Sequence, residues 1–440
     1  MDRHRRQLVA LAHPVYFSLL APVAAGIVNT VWVSRLGGPA VAAVAVATTT
    51  ENVLLGVALV FASGTTVLVA HARGARDPAA VRSAVRGGWA LCLAVTPVVA
   101  VGGYALREPL ARLVLGGAGG PAVPLAVSYF AVALPGIAVF FAQQLVDGIL
   151  KGTGDTRTPL RLALLSSGLI LVCDPFLIHL YGVRGAALCT VLCRGVALAA
   201  GLLALRRNAL LRSAATRPAS GTVAALRRTL TTGLPMSADF TVRQAGALAL
   251  VAVVARLGVT AVAAYAIAYK ALYVATMAFY AVRQAAAIHT AHTRGEGRQE
   301  RRAIARQAVL LSGALGLAAG LLLAATAPWI MAAFGAGPAV AHEGVLFLRC
   351  VGPYLLLTAG CIALGGVFEG SGGAPVLLRV TALGTAVQLP LAVALSGLGL
   401  PGVCLALALG MAVQCAALSV VLRRTWHEET QPAPVPTGVS

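Results

Sequence analysis

The chain has 440 residues, of which 59% are hydrophobic and 11% are charged, and its formal net charge is +20. A soluble domain carries about 25% charged residues, so this composition excludes an ordinary soluble protein. It favours a bilayer, where spanning helices satisfy their own backbone hydrogen bonds. The positive charge does not indicate nucleic acid as a partner, because the basic residues separate apolar runs and aromatic residues are few.

Apolar runs of bilayer length, about 20 residues each, follow one another along the chain. Proline, glycine or charged residues separate them. Twelve runs can be marked, at 14–34, 40–70, 87–106, 122–148, 159–180, 184–205, 233–256, 260–289, 306–329, 341–368, 376–396 and 401–422. They predict an all-α membrane protein with 12 transmembrane helices. The first run follows the basic MDRHRR without a clear cleavage site, so it is predicted to be an uncleaved first helix.

Basic residues outside these runs fall mainly on one side of the predicted bundle. When alternate ends are assigned to the same side, 24 of the 34 lysines and arginines lie there and six lie on the other side. Basic loops face the cytoplasm, so both termini are predicted to be cytoplasmic. The alanine- and arginine-rich composition indicates a GC-rich bacterium, in which this multi-pass protein would lie in the inner (plasma) membrane.

The second half of the sequence repeats features of the first half. SRLGGPAVAAVAVA at 34–47 resembles ARLGVTAVAAYAIA at 255–268, and AHARGAR from Ala70 resembles AHTRGEGR from Ala291. Both pairs are 221 residues apart, a distance that contains six predicted spans. An even number of spans preserves orientation, so the halves are predicted to be parallel repeats with a substrate site at their interface.

This repeat predicts two lobes joined by a polar segment. The predicted organisation is an N-terminal six-helix lobe at 1–207, a cytoplasmic linker at 208–229, a C-terminal six-helix lobe at 230–424 and a disordered cytoplasmic tail at 425–440.

Five segments resemble, in order, the multidrug and toxic compound extrusion (MATE) family, and NTVWVSRLGG is closest to its DinF-like branch. These segments are NTVWVSRLGG at 29–38, GTTVLVAHARGA at 64–75, LKGTGDTRTPL at 150–160, CDPFLIHLYGVRGAALCT at 173–190 and FEGSGGAP at 368–375. The resemblance extends to about residue 424 and implies two pseudo-symmetric six-helix lobes around a V-shaped cavity. It also implies secondary-active export of cationic or amphipathic small molecules in exchange for protons or sodium.

Asp174 is the strongest candidate for an ion-coupling residue, because it interrupts the apolar run LILVCDPFL. Removal of a carboxylate from water favours its protonated form, so such a group can exchange a proton. The alternative is a carboxylate near a helix end that is wetted or paired with a base. The resemblance implies that Asp174 is the family's fifth-helix acid and that Thr190 is its sixth-helix ligand.

Two positions depart from the family pattern. Asn29 stands where the family usually has an aspartate, and Ile170 stands where it has an asparagine. Asparagine cannot titrate, although it can donate a hydrogen bond to Asp174. These changes disfavour sodium coupling and leave proton coupling open, through Asp174 or through an acid elsewhere.

The seventh and eighth spans carry a second group of charges. Asp239 and Arg243 are four residues apart on a predicted helix and therefore face each other. Lys270 and Arg283 lie on the next span. In the functional interpretation Asp239 lines the cavity as a proton or cation partner, while Arg243 and Lys270 favour a substrate with an anionic group. In the structural interpretation the group is internally paired, or its long side chains extend to the membrane surface.

Further polar residues on the predicted spans are Glu51, Gln143, Gln144, Asp147 and Gln244. Each alone is more often a helix-packing contact than a ligand. As a set, Glu51, Gln143 and Gln244 are candidates for lining the substrate cavity.

Three functions compete at this stage. The favoured function is that of a monomeric efflux antiporter. Its partners would be a small-molecule substrate and protons, with sodium a less favoured coupling ion. The second is a flippase of lipid-linked precursors from the same superfamily, for which Arg194, Arg243 and Lys270 are the available cations. The third is an intramembrane enzyme or receptor. No nucleophile or Walker motif is recognisable, so we expect no enzymatic activity and an ion gradient as the energy source.

The eight cysteines lie in or at the ends of apolar segments and lack zinc-ligand spacing. They are expected to pack as small hydrophobic residues, with no predicted disulfide. We therefore expect neither a metal nor a cofactor.

Overall fold

The computed structural model describes residues 3–115, 120–215 and 221–430, and its regular structure there is helical. The helices are α1 (Arg3–Ser34), α2 (Gly38–Gly74), α3 (Pro78–Ala105), α4 (Arg107–Val114), α5 (Ala122–Ala133), α6 (Ile137–Gly152), α7 (Arg157–Tyr181), α8 (Val183–Arg207), α9 (Ala209–Ala215), α10 (Thr222–Ala255), α11 (Val259–Gly295), α12 (Arg301–Ala333), α13 (Pro338–Cys350), α14 (Gly352–Ser371), α15 (Ala374–Ala394) and α16 (Gly399–Thr430). A short 3₁₀ turn at Ser396–Leu398 precedes α16.

The described helices confirm the predicted spans. Eleven are long and apolar enough to cross a bilayer, and α5 with α6 forms a twelfth span that bends by 55° at its break. The tenth predicted run is likewise divided, into α13 and α14. Pro135 lies at the first break and Pro353 follows the second. Proline lacks the N–H that would continue a helical hydrogen-bond ladder, which accounts for two helices where each apolar run predicted one.

The internal repeat is visible in the backbone. Helices α2 and α11 each have 37 residues and begin 221 positions apart. The residue before each is a glycine with nearly the same dihedral angles, φ 101° and ψ 169° at Gly37, and φ 107° and ψ 169° at Gly258. Only glycine adopts this region readily, so the two lobes turn between their first and second spans in the same way.

The turns that end α2 and α11 also correspond. A left-handed residue follows each helix, Arg76 with φ 54° and Gly297 with φ 77°. The next amide in each turn closes on the helix, from Asp77 N–H to the Ala72 carbonyl and from Arg298 N–H to that of Thr293, both at 3.0 Å. This is the hydrogen bond of a Schellman motif. The left-handed position of this turn is therefore occupied by a non-glycine residue, Arg76, in the N-terminal lobe and by a glycine in the C-terminal lobe.

The hydrophobic clusters differ between the two ends of the bundle. We call the end that contains the starts of α1, α7 and α10 the basic end, because most arginines lie there. At the other end there are two separate clusters. The side chains of one come from between residues 33 and 187, and those of the other from between residues 250 and 407, so each cluster lies within a single lobe. Toward the basic end, Leu8 and Val15 of α1 share a cluster with Val282 and Ile304 of the C-terminal lobe.

Polar and close backbone contacts join the lobes between mid-membrane and the basic end. The Ser237 hydroxyl donates to the Gly56 carbonyl at 2.6 Å, and His4 Nδ1 lies 3.0 Å from His289 Nε2. A Cβ atom added to Gly64 would lie 2.8 Å from the Thr229 carbonyl oxygen, so α2 and α10 touch through their backbones. The bundle is therefore closed at the basic end, while the clusters at the other end stay separate.

The predicted linker and tail need correction in part. Helix α10 begins at Thr222, so residues 222–229 continue the seventh span, and α9 lies within the remaining linker. Residues 216–220 are outside the described part of the chain. Helix α16 extends to Thr430, so residues 425–430 are helical where the composition predicted disorder. The rest of the predicted tail, 431–440, lies outside the described residues.

The structure also brings together two cysteines that the sequence analysis left unpaired. Cys361 of α14 and Cys415 of α16 lie side by side, with their Cα atoms 5.6 Å apart. Their separation of 54 residues carries no spacing signal. Helix packing brings them together.

Candidate functional site

Asp174 is completely buried where α7 crosses α1. The Asn29 side-chain amide donates a hydrogen bond to Asp174 Oδ2 at 2.7 Å. The other carboxyl oxygen, Oδ1, is buried without a hydrogen-bond partner among the described residues. Burial of a charged oxygen without a hydrogen-bond partner costs free energy. Protonation of the carboxyl would remove the charge and so lower this cost. The geometry therefore leaves one oxygen of Asp174 available to a proton.

Helix α7 contains a proline beside this carboxyl. Pro175 lies inside the helix directly after Asp174. Because proline has no N–H, the helical hydrogen bond that would reach the Leu171 carbonyl is missing. One helical hydrogen bond is therefore absent within a turn of the buried Asp174 carboxyl, although α7 continues unbroken from Arg157 to Tyr181.

Side chains of α5 and α8 complete the surroundings of Asp174. The Cys189 thiol neighbours the Asp174 carboxyl and lies 3.8 Å from the Cys193 sulfur. The Thr190 hydroxyl donates to the Ala186 carbonyl at 3.0 Å and lies next to Tyr129. Thr190 is thus close to the site but is engaged with its own helix.

A second polar group in the N-terminal lobe lies next to this site. Arg194 Nη2 is 3.1 Å from Glu51 Oε2, and the Arg194 guanidinium carbon is 5.0 Å from the centre of the Phe140 ring. Glu51, Arg194, Tyr129 and Thr190 all line a small cavity of about 20 Å³. This is room for about one water molecule. Glu51 therefore lines a small, mostly apolar cavity inside one lobe. Its assignment to a substrate cavity between the lobes stays a prediction.

In the C-terminal lobe, Asp239 is completely buried and both of its oxygens are engaged. Arg243 Nε lies 3.1 Å from Oδ2, which is the pairing that the four-residue spacing predicted. Arg283 Nη2 donates to the same oxygen at 2.7 Å, and the Thr381 hydroxyl donates to Oδ1 at 2.5 Å. Asp239 is therefore surrounded by hydrogen-bond donors of its own lobe.

The same network extends to a second acid. Arg283 Nη2 is 2.7 Å from Glu369 Oε1, and its Nε is 3.3 Å from Oε2. Asp239 and Arg243 belong to α10, Arg283 to α11, Glu369 to α14, and Thr381 to α15. Two carboxylates and two guanidinium groups balance in charge, so this network binds four helices of one lobe together without net charge.

Three other predicted cavity residues are not brought together. Lys270 is exposed, and its Nζ lies 5.6 Å from the centre of the Phe334 ring at the end of α12, apart from the Asp239 network. Gln143 on α6 and Gln244 on α10 are partly exposed in different lobes.

Several residues of these sites were not found from the sequence. Glu369 is a lone acid at the end of an apolar run, and that position could have identified it. Tyr129, Cys189 and Thr381 carry no such signal, because single hydroxyl and thiol side chains are common in membrane helices.

Comparison with known proteins gives the family. A family model described as MatE matches the chain twice, over residues 14–176 and 235–394. The two matches begin 221 residues apart, as do the repeated segments. The chain belongs to the MatE family. It is accordingly a multi-pass membrane transporter of the MATE type, and the resemblance seen in its sequence motifs is confirmed.

Individual relatives are more distant. The MATE chain is 24% identical over 401 residues to "Probable multidrug resistance protein NorM" of Thermotoga maritima, covering 88% of this chain and 85% of that protein. It is 26% identical over 252 residues to "Probable multidrug resistance protein YpnP" of Bacillus subtilis, and that match covers 57% of this chain and 56% of YpnP. A solved MOP superfamily transporter from Pyrococcus furiosus has the same fold, with a TM-score of 0.89 at 23% identity over 98% of both chains.

Proposed function

We propose that this MATE-family protein is a secondary-active antiporter that exports small amphipathic compounds and is driven by protons. One observation carries the proposal. Asp174 is completely buried, with one oxygen held by the neutral Asn29 amide and the other without a partner in the described structure. A carboxyl in this setting can take up a proton and release it when its surroundings change.

Alternating access is supported by the contrast between the two ends of the bundle. The lobes share a hydrophobic cluster toward the basic end and have separate clusters at the other end. If the basic end is cytoplasmic, as the arginine distribution predicts, this is the outward-facing arrangement. Export then requires the lobes to part at the basic end and close at the other, as parallel-repeat transporters do.

Protons are favoured over sodium by the chemistry of the site. Hard cations bind to several oxygen ligands. Here the side chains at the family's usual ligand positions include a hydrocarbon at Ile170, and the Asn29 amide directs its N–H toward Asp174 rather than its oxygen. The Thr190 hydroxyl is engaged with its own helix. A proton needs only the free oxygen of Asp174.

The substrate class follows from the family and from the paired charges. Two relatives are named as probable multidrug resistance proteins, which supports broad export of toxic compounds. Arg243 is bound to Asp239, and Arg194 is bound to Glu51. Since these arginines are neutralised within their lobes, they support neither a preference for anionic substrates nor the strongly cationic cavity that a lipid-linked flippase would need.

Transport in proteoliposomes tests the proposal. A growth panel of toxic compounds with the gene deleted first identifies a compound that the protein exports. Purified protein in vesicles that contain a pH-sensitive dye should then release protons when this compound is added. Asp174→Asn should abolish the coupled proton movement, while Glu108→Gln, at an exposed acid paired with Arg112 on α4, should behave as the wild type. Coupled proton movement that persists in Asp174→Asn would show that another group carries the proton.

A further inference from the structure

A groove of about 530 Å³ lies between α1 and α7 at the basic end of the bundle. Arg157 and Arg161 of α7 form one wall, with Leu160 and Leu164 between and beyond them. Val9 and His13 of α1 lie on the other wall. The groove does not belong to the Asp174 site, which lies where the same two helices cross farther along.

The two arginines of the groove have no acidic partner in the described part of the chain. Arg157 and Arg161 are exposed, are one helical turn apart, and make no ion pair within the described residues. The nearby acid, Asp155, is engaged elsewhere. Its carboxylate accepts from the Arg157 and Thr158 amides at 3.1 and 2.9 Å and from the Thr158 hydroxyl at 2.5 Å. Two adjacent guanidinium groups therefore remain available to an anion.

The rest of the groove is apolar and open. Val9 is 39% exposed and Leu164 is 53% exposed. Helix α7 begins at Arg157 and runs into the bilayer, so Arg157 lies at the mouth of the groove. At about 1.5 Å per residue, Leu164 lies about 10 Å deeper than Arg157 and about 4.5 Å deeper than Arg161. A free phosphate ion would satisfy the arginines and leave the apolar walls uncovered. A molecule with an anionic head and a hydrocarbon chain covers both.

The groove also lies at the seam between the lobes. Leu8, Ala12 and Val15, on one face of α1, pack in a cluster with residues of the C-terminal lobe. Val9 and His13, on another face of α1, line the groove, whose far wall is α7 of the N-terminal lobe. An occupant therefore touches two helices of the N-terminal lobe, one of which, α1, also packs against the C-terminal lobe.

We propose that this groove is a binding site for an anionic phospholipid of the basic-side leaflet, with its phosphate between Arg157 and Arg161 and an acyl chain along Leu160 and Leu164. Basic pockets between transmembrane helices on the cytoplasmic side are suited to anionic headgroups. The proposal does not depend on the coupling ion.

Thermal unfolding of the purified full-length protein in detergent tests the site. Phosphatidylglycerol should raise the unfolding temperature of the wild type more than phosphatidylcholine does. The double variant Arg157→Gln/Arg161→Gln should need about tenfold more phosphatidylglycerol for the same shift, since each basic residue contributes to anionic lipid binding. Arg157→Lys/Arg161→Lys should recover most of the response.

The matched control is Arg227→Gln/Arg228→Gln, which removes two exposed charges at the same end of the bundle but away from the groove. It should respond as the wild type does. An equal loss in this control would reduce the effect to general surface charge and overturn the proposal. So would an equal response to inorganic phosphate at the same concentration, which would make the ligand a free anion.

A second measurement uses only the wild-type protein, so it holds even if the groove variants fail to fold. Photoactivatable phosphatidylglycerol in nanodiscs should label peptides that contain residues 9–14 and 157–164. Labelling concentrated elsewhere, with these peptides unlabelled, would refute the site.

Discussion

Asp174 in the N-terminal lobe and Asp239 in the C-terminal lobe are both completely buried, yet their surroundings differ. Asp174 receives one hydrogen bond from a neutral amide and keeps one oxygen free, whereas Asp239 receives donors from Arg243, Arg283 and Thr381. A carboxylate bound to two guanidinium groups is held in its charged form. This difference supports our proposal that Asp174 is the exchangeable acid, whereas Asp239 holds helices of its lobe together.

The repeat does not relate these two acids. At the 221-residue offset Asp239 corresponds to Ser18, and in the aligned segments LKGTG and FEGSG the acid Glu369 corresponds to Lys151. The lobes thus share backbone turns and helix lengths while their buried charges differ. A backbone fold tolerates many side chains, but each buried charge needs its own partners.

The largest expected effect is on stability and comes from Arg283→Gln. Removal of this side chain leaves Glu369 and part of Asp239 without their partner. Breaking a buried ion pair costs about 3–5 kcal/mol, so thermal unfolding in detergent should occur at a clearly lower temperature.

Asp174→Asn is the comparison for this variant, because it replaces a carboxyl by an uncharged group of the same size. It should unfold close to the wild-type temperature. Equal stability of Arg283→Gln and wild type would contradict the structural role of the C-terminal network.

The next effect is on the pH dependence of transport and comes from Asn29→Asp. This change places a second carboxyl at the position that lies 2.7 Å from Asp174. Two facing carboxylates do not both ionise readily, so they hold a shared proton to higher pH. The pH at which transport is half-maximal should therefore rise, by about one unit or more.

Transport assays over a pH series in proteoliposomes measure this shift. Asn29→Leu is the matched control, since it removes the amide without adding an acid. A profile unchanged in Asn29→Asp would mean that the Asp174 and Asn29 pair does not set the pH dependence.

The smallest expected effect comes from Arg76→Gly and concerns the repeated turn. Arg76 has φ 54°, and its counterpart in the other lobe is Gly297. A non-glycine residue in the left-handed region costs about 1–2 kcal/mol, and glycine would relieve that strain. The greater chain entropy of glycine in the unfolded state offsets part of the resulting gain in stability. Arg76→Gly should raise the unfolding temperature slightly, and Gly297→Arg should lower it. A lower temperature for Arg76→Gly would show that the arginine side chain contributes more than its backbone strain.

The helices were predictable because their signal is local. Every predicted span corresponds to a described helix or pair of helices. A spanning helix satisfies its own backbone hydrogen bonds, so an apolar run of bilayer length predicts a helix without knowledge of its tertiary partners. The pairing of Asp239 with Arg243 was predictable for the same reason, as both lie on one helix. The pairing of Asp239 with Arg283 and the proximity of Cys361 to Cys415 were not, because their partners lie on different helices. The helical continuation to Thr430 was also missed. The tail was predicted to be disordered from its composition, and composition does not define the residue at which the preceding helix ends.

The sequence by itself determined that this chain crosses a membrane in two similar halves, because hydropathy, punctuation and the 221-residue repeat are properties of the chain order. It also pointed to Asp174 as an acid in an apolar helix. Only the tertiary structure decided that Asp174 keeps a free oxygen while Asp239 does not. Whether a buried charge is neutralised depends on which helices pack around it, and those helices lie tens to more than a hundred residues away in the sequence.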